Sequence, residues 1–167
     1  STCTAHYFLT IDNDASRAVS IYLMRDKSET WPFLQNFVIY AKSHFDKNVR
    51  FIRSDNGKEF TSNPMRQFYS QKEIVHQTGC VDTPQQNARV ERKHRHILNV
   101  ARALRFHANM SLEFWSECVL TAACLINRTP TPLLKGKTPY ECLFGSTPSY
   151  DNIRIFGCLC YVKESNQ

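Results

Sequence analysis

An α/β or α+β single domain is the fold class the sequence predicts, on three observations. Short apolar runs of strand character open the chain. Apolar stripes with the helical period of about 3.6 fill its second half, and short strand-like runs recur between helical stretches. With 167 residues, 42% hydrophobic and 12% aromatic, the chain is long and apolar enough for one core.

The elements follow in order. Tyr7-Phe8-Leu9-Thr10-Ile11 reads as a buried strand and Asp12-Asn13-Asp14 as the turn after it, with Ala18 to Met24 as the hairpin partner. A helix starts at about Ser28 or Thr30, placing Phe33, Leu34, Phe37, Val38, Ala41 and Phe45 on one face. Pro32 then falls in the first turn, where a missing N–H matters least. Val49 to Ser54 alternates like a half-buried strand and ends at Asp55. Asn63-Pro64 starts a short helix with Met65, Phe68 and Tyr69 inward, and Ile74 to Gln77 suits a short strand. Thr78 to Asn87 has little apolar content and reads as a loop.

From Arg89 to about His107 the helical period returns, with Val90, Ile97, Ala101, Leu104 and Ala108 as the buried stripe. Ser111 is the N-cap candidate for a helix carrying Leu112, Trp115, Val119, Ala122 and Ile126. Thr138-Pro139-Tyr140-Glu141 has the form of a capping box with Pro at the first helical position, and Gly145 is its stop. Ile153 to Val162 reads as a final strand.

The net charge of +6 favours an anionic partner, nucleic acid before a membrane surface. No apolar run approaches the roughly 20 residues of a membrane span, and no signal-peptide pattern opens the chain. It begins without Met and reaches a strand almost at once, as a segment of a longer polypeptide would. The seven cysteines are odd in number and include no Cys-x-x-Cys pair. Cys118, Cys124, Cys142, Cys158 and Cys160 sit in apolar runs, which predicts core thiols in a reducing compartment.

Two carboxylates carry the chemistry. Asp55 closes a strand and Glu91 opens a basic helix, 36 positions apart. Paired acids near cationic side chains suit divalent metals in phosphoryl transfer, where two Mg²⁺ ions lie about 3.5–4 Å apart. Asp55-Asn56-Gly57 is equally good turn chemistry without a metal, and an acid at Glu91 also complements the helix dipole. Arg89, Arg92, Lys93 and Arg95, with Arg102 and Arg105 further on, form either a solvated face or a footprint for phosphates. Only Asp82 and Glu91 offset them between Gly79 and Met110, which favours phosphates. His94 and His96 point to different helix sides, against a shared zinc site.

These stretches, in this order, resemble the integrase catalytic core of Ty1/copia-type LTR retrotransposon Pol polyproteins, which is related to retroviral integrases. The resemblance is carried by Tyr7 to Ile11, Arg53-Ser54-Asp55-Asn56-Gly57-Lys58-Glu59-Phe60 and Thr83-Pro84-Gln85-Gln86-Asn87 leading to Val90-Glu91-Arg92-Lys93-His94-Arg95. Phe114-Trp115, Leu125 to Pro130, Lys137 to Glu141 and Ile155 to Cys158 add to it. It implies an RNase H-like fold, a mixed five-stranded sheet flanked by helices, with residues 1–145 as the core and 146–167 as the start of the segment after it.

It also implies a D,D-35-E triad binding Mg²⁺ or Mn²⁺, in which Asp55 is the second carboxylate and Glu91 the third. The reaction is then 3′-end processing or strand transfer. The implied partners are cDNA ends and target DNA, contacted by Asn87, Arg89, Arg92, Lys93 and Arg95. Self-association, assembly in cytoplasmic particles and action in the nucleus are further family expectations, and no membrane is involved.

Three departures bear on this. The family's first Asp lies ahead of the Tyr7 strand, and neither Asp12 nor Asp14 aligns with it, so the first strand and first ligand are expected to be missing from this chain. Ala88 stands where the family has Gly, which would cost on the order of 1 kcal/mol if that backbone needed φ > 0. Gly79 stands where the family usually has Ser. The readings are therefore an integrase-core segment with little strand transfer as it stands, a non-catalytic DNA-binding module, or a remnant without a cooperative fold.

Overall fold

The computed structural model describes residues 4–78 and 88–159. It has four strands among the described residues, β1 (Tyr7–Asp12), β2 (Val19–Met24), β3 (Phe51–Ser54) and β4 (Val75–Thr78). The helices are α1 (Thr30–Phe45), α2 (Lys58–Thr61), α3 (Asn63–Gln71), α4 (Ala88–His107), α5 (Trp115–Arg128) and α6 (Pro139–Phe144). The strands form two sheets, β1 with β2 and β3 parallel to β4, with Phe51 opposite Val75 and Ser54 opposite Thr78. The single five-stranded sheet is thus not formed by the described residues. A hairpin pair and a parallel pair are formed instead.

The chain divides into two compact units, one joining 4–11 with 21–95, the other joining 12–20 with residues from 96 onward. The first has its core in Leu34 and Val38 of α1, Met65, Phe68 and Tyr69 of α3, and Ile74, with Ile11, Val49 and Ile52 packed against them. Spacings of four in α1 and of three and four in α3 put these residues on one face of each helix. Parallel β3 and β4 need a crossover, which α2 and α3 provide. In the second unit Ile97, Ala101, Cys118, Val119, Ala122, Ala123 and Ile126 are buried.

Local signals were obeyed where side chain and backbone agree. Asn13 Oδ1 accepts the N–H of Ala15 and of Ser16 and shapes the β1–β2 turn. Thr138 and Glu141 close the capping box of α6, and Gly145 ends it at φ 73°. Ala88 is the first residue of α4, where no positive φ is called for, so the cost foreseen for it does not arise.

Several expectations need correction. Val90 is 38% exposed, because the packed stripe of α4 begins a turn or more later. Leu112 is exposed in a 3-10 turn, Leu112–Phe114, which takes the Ser111 start, so that α5 itself begins at Trp115. Residues 153–159 are not a strand: Gly157 takes φ 83° and breaks the extended run, leaving Ile155 exposed. Cys118 is buried, and burial pushes its thiol pKa up, but Cys124, Cys142 and Cys158 are exposed. A helical apolar run reaches all sides of the helix, so membership in it does not ensure burial; Cys124 Sγ instead accepts from Arg128 at 2.9 Å, one turn on. Of the loop expected over Thr78 to Asn87, Thr78 instead closes β4, and 79–87, Asn87 included, lie outside the described residues, as do Cys160 and the remainder of the expected last strand.

Candidate metal and nucleic-acid site

Asp55 follows the last residue of β3, and cross-strand bonds fix that end. Arg53 donates through its Nε and NH2 groups to Gln77 Oε1 at 3.3 and 2.9 Å. On the other face of the pair, Ser54 Oγ lies 2.8 Å from His76 Nε2 and donates to the Asp55 carbonyl, also at 2.8 Å. Since the hydroxyl has one proton, His76 must be the donor in its bond to Ser54. A chain of donors therefore runs from the His76 ring through Ser54 to the Asp55 backbone. The ring lies 4.6 Å from that of Tyr69, and burial first, then the Arg66 charge, lowers the His76 pKa.

The Asp55 side chain is also held. Its Oδ1 accepts the Gly57 N–H at 3.1 Å, so the turn reading is realised. A bond to one carboxylate oxygen does not exclude a metal on the carboxylate. Gly57 leaves room for two acidic side chains. A Cβ there would meet Glu59 Cδ and Oε2 at 2.8 Å and Asp55 Oδ1 at 3.0 Å. Two carboxylates thus crowd one point, and Glu59 is half-buried with Lys27 Nζ 3.9 Å away. The sequence reasoning did not weigh Glu59, although it lies inside the matching stretch. The Gly two residues before it, between two acids, was the available signal.

Glu91 lies in the first turn of α4 and is exposed. Arg92 and Arg95 are exposed, whereas Arg89 and Lys93 are half-buried. One turn after Glu91, the His94 ring lies flat on Phe8 with centroids 4.6 Å and planes 1° apart, and its Nδ1 is 3.5 Å from Thr10 Oγ1. Burial lowers the His94 pKa. His96 is exposed, so the two histidines do point apart. Among the described residues no group of three or more His, Cys, Asp or Glu side chains is arranged to hold a metal by itself. None of their helices is long and apolar enough to cross a membrane.

No family model matches the chain. The Pol polyprotein of transposon RE1 from Arabidopsis thaliana, retrovirus-related by its description, is 36% identical over 155 residues, 93% of this chain. That of RE2 from the same plant is 35% identical over the same share, and that of TNT 1-94 from Nicotiana tabacum 32%. A solved HTLV-2 integrase catalytic core domain, in complex with magnesium and in a trimeric form, superposes with TM-score 0.58 over 82% of this chain and 92% of its own, at 19% identity.

The chain is homologous, over 93% of its length, to a segment of these retrovirus-related Pol polyproteins of transposons. Its fold is that of an integrase catalytic core, RNase H-like, as the resemblance implied. It spans about a tenth of the length of the curated relatives it matches.

Proposed function

We propose that this integrase-type chain bears two of the acids of a metal-dependent polynucleotidyl transferase, Asp55 and Glu91, and contacts DNA through the basic start of α4. The observation that supports this most directly is the placing of the two acids, one after a parallel strand and one in the first turn of a basic helix, within an integrase-core fold. Carboxylates completed by water and phosphate oxygens are the donor set Mg²⁺ takes, so the residues fit a divalent ion as part of a shell. Asp55 and Glu91 would hold it. Bound there, the ion would polarise phosphoryl oxygens and help generate the attacking nucleophile.

The chain's own contribution is positional. His76 and Ser54 fix the backbone from which Asp55 projects, and Arg92, Lys93 and Arg95, with Arg89, supply charge for the phosphates of cDNA ends and target DNA. Asn87 is part of the same proposed DNA contact. Self-association and action in the nucleus belong to the proposal too.

With only two of the three family acids in its sequence, the 167-residue chain is expected to join DNA ends poorly. Joining by the purified chain with Mg²⁺, lost on Asp55→Asn, would overturn that part. DNA binding is the direct test of the rest, measured as fluorescence anisotropy of a labelled duplex. If three phosphates are neutralised, affinity should fall about forty-fold between 50 and 200 mM salt. Combined Arg92→Ala, Lys93→Ala and Arg95→Ala should remove most of that slope while Glu91→Gln leaves binding intact. Affinity independent of salt refutes the DNA-contact reading.

A further inference from the structure

We infer that His94 orients Glu91, by docking the first turns of α4 on strand β1 and so fixing where the Glu91 carboxylate reaches. The inference rests on the reading of Glu91 as a metal ligand. Phe8 and Thr10 are two positions apart on β1, so both project from one face of the strand. The His94 ring meets both, flat on the Phe8 ring and with Nδ1 toward Thr10 Oγ1.

Because β1 is itself hydrogen-bonded to β2, it is a fixed reference for the helix. Glu91 lies three positions before His94, and residues at that spacing are neighbours on one side of a helix. Any roll of the first turns about the helix axis moves the two side chains together. A flat ring-on-ring contact resists such a roll because sliding one ring across the other loses contact area at once. Mg²⁺ demands near-ideal octahedral placement of its ligands, so freedom of about an ångström at Glu91 would lower metal affinity. His96 sits two residues on, exposed, and serves as an internal control.

Two measurements on the 167-residue chain test this: hydrogen exchange of the α4 amides 92–95, and Mn²⁺ affinity by water-proton relaxation. His94→Ala is expected to lower protection at those amides at least fivefold and to weaken Mn²⁺ binding at least threefold. His94→Phe keeps the stack and should restore most of both, while His96→Ala moves neither. In a Glu91→Gln background, His94→Ala should have no further effect on Mn²⁺ affinity, a coupling that a merely structural histidine would not produce.

Unchanged exchange in His94→Ala overturns the docking. Equal losses of Mn²⁺ affinity with and without the Glu91 carboxylate overturn orientation through Glu91. If Glu91→Gln leaves Mn²⁺ affinity at its original value, the metal-ligand reading of Glu91 falls, and the orienting role falls with it even where exchange reports an intact dock.

Discussion

Asn127 offers the sharpest test of the fold, because one side chain substitutes for a strand partner. Its Oδ1 accepts the Val19 N–H at 2.8 Å and its Nδ2 donates to the Val19 carbonyl at 2.8 Å. Val19 opens β2 and is buried, so water cannot readily replace either bond. Each bond is worth about 1 kcal/mol net, and leaving both backbone groups unpaired adds desolvation costs of similar size. Asn127→Ala should therefore destabilise the chain by about 2–4 kcal/mol, lowering Tm by roughly 2–4 °C per kcal/mol at this chain length. Asn127→Asp keeps the acceptor but sets a carboxylate against the Val19 carbonyl. It should be as damaging at neutral pH and partly recover in acid, where the protonated group can donate. Urea denaturation followed by circular dichroism measures both. A loss below about 0.5 kcal/mol for Asn127→Ala would show that the clamp is not formed.

Three further outcomes are expected. His76 and His94 both have pKa values lowered from 6.5, chiefly by burial, so below pH 6.5 the unfolded chain binds more protons than the folded one. Stability should fall as pH drops through 6.5 towards the folded pKa values, a slope that His76→Asn should reduce in a Tm-against-pH series. The carboxylates Asp26, Asp46 and Glu141, lowered mainly by hydrogen bonds from Ser28, Lys42 and Thr138, lose their contribution only near and below pH 4.5. Gly157→Ala would place a Cβ 2.6 Å from that of Ala108 at φ 83°, and should cost about 2–3 kcal/mol in chemical denaturation. The buried Tyr69 hydroxyl has no hydrogen-bond partner among the described residues, and burial pushes its pKa up to about 12. Tyr69→Phe should leave stability unchanged or raise it by up to about 1 kcal/mol, as a thermal melt would report.

What could be read in the sequence was what depends on neighbours along the chain. The face of α1, the inward side of α3, the box at Thr138 and the length of α4 follow from periodicity and caps, and all appear. The strand at residues 153–159 failed because apolar content cannot tell an extended run from one broken by a Gly at positive φ. Exposure of Phe51, at 62%, and of Val75 was likewise not legible, since the pair shares one face of the β3–β4 sheet and burial there depends on what covers that face. The histidines were missed for the same reason. His94 was weighed only against His96 on its own helix, and its partners, Phe8 and Thr10, lie more than eighty residues away.

The two acids are therefore held by unlike means. Asp55 is fixed through its backbone, by a Ser54 hydroxyl that the half-buried His76 imidazole keeps aimed, and through its carboxylate by Gly57. Glu91 projects from a helix end whose orientation depends on one ring lying on another. Hydrogen bonds act on Asp55 itself and on the residue before it, whereas the stack reaches Glu91 only through three residues of helix. On this argument Glu91 is the more adjustable acid. Metal added to the chain should then slow hydrogen exchange in the first turns of α4 more than at the β3–β4 ends. A larger gain in protection at residues 51–55 would reverse that assignment.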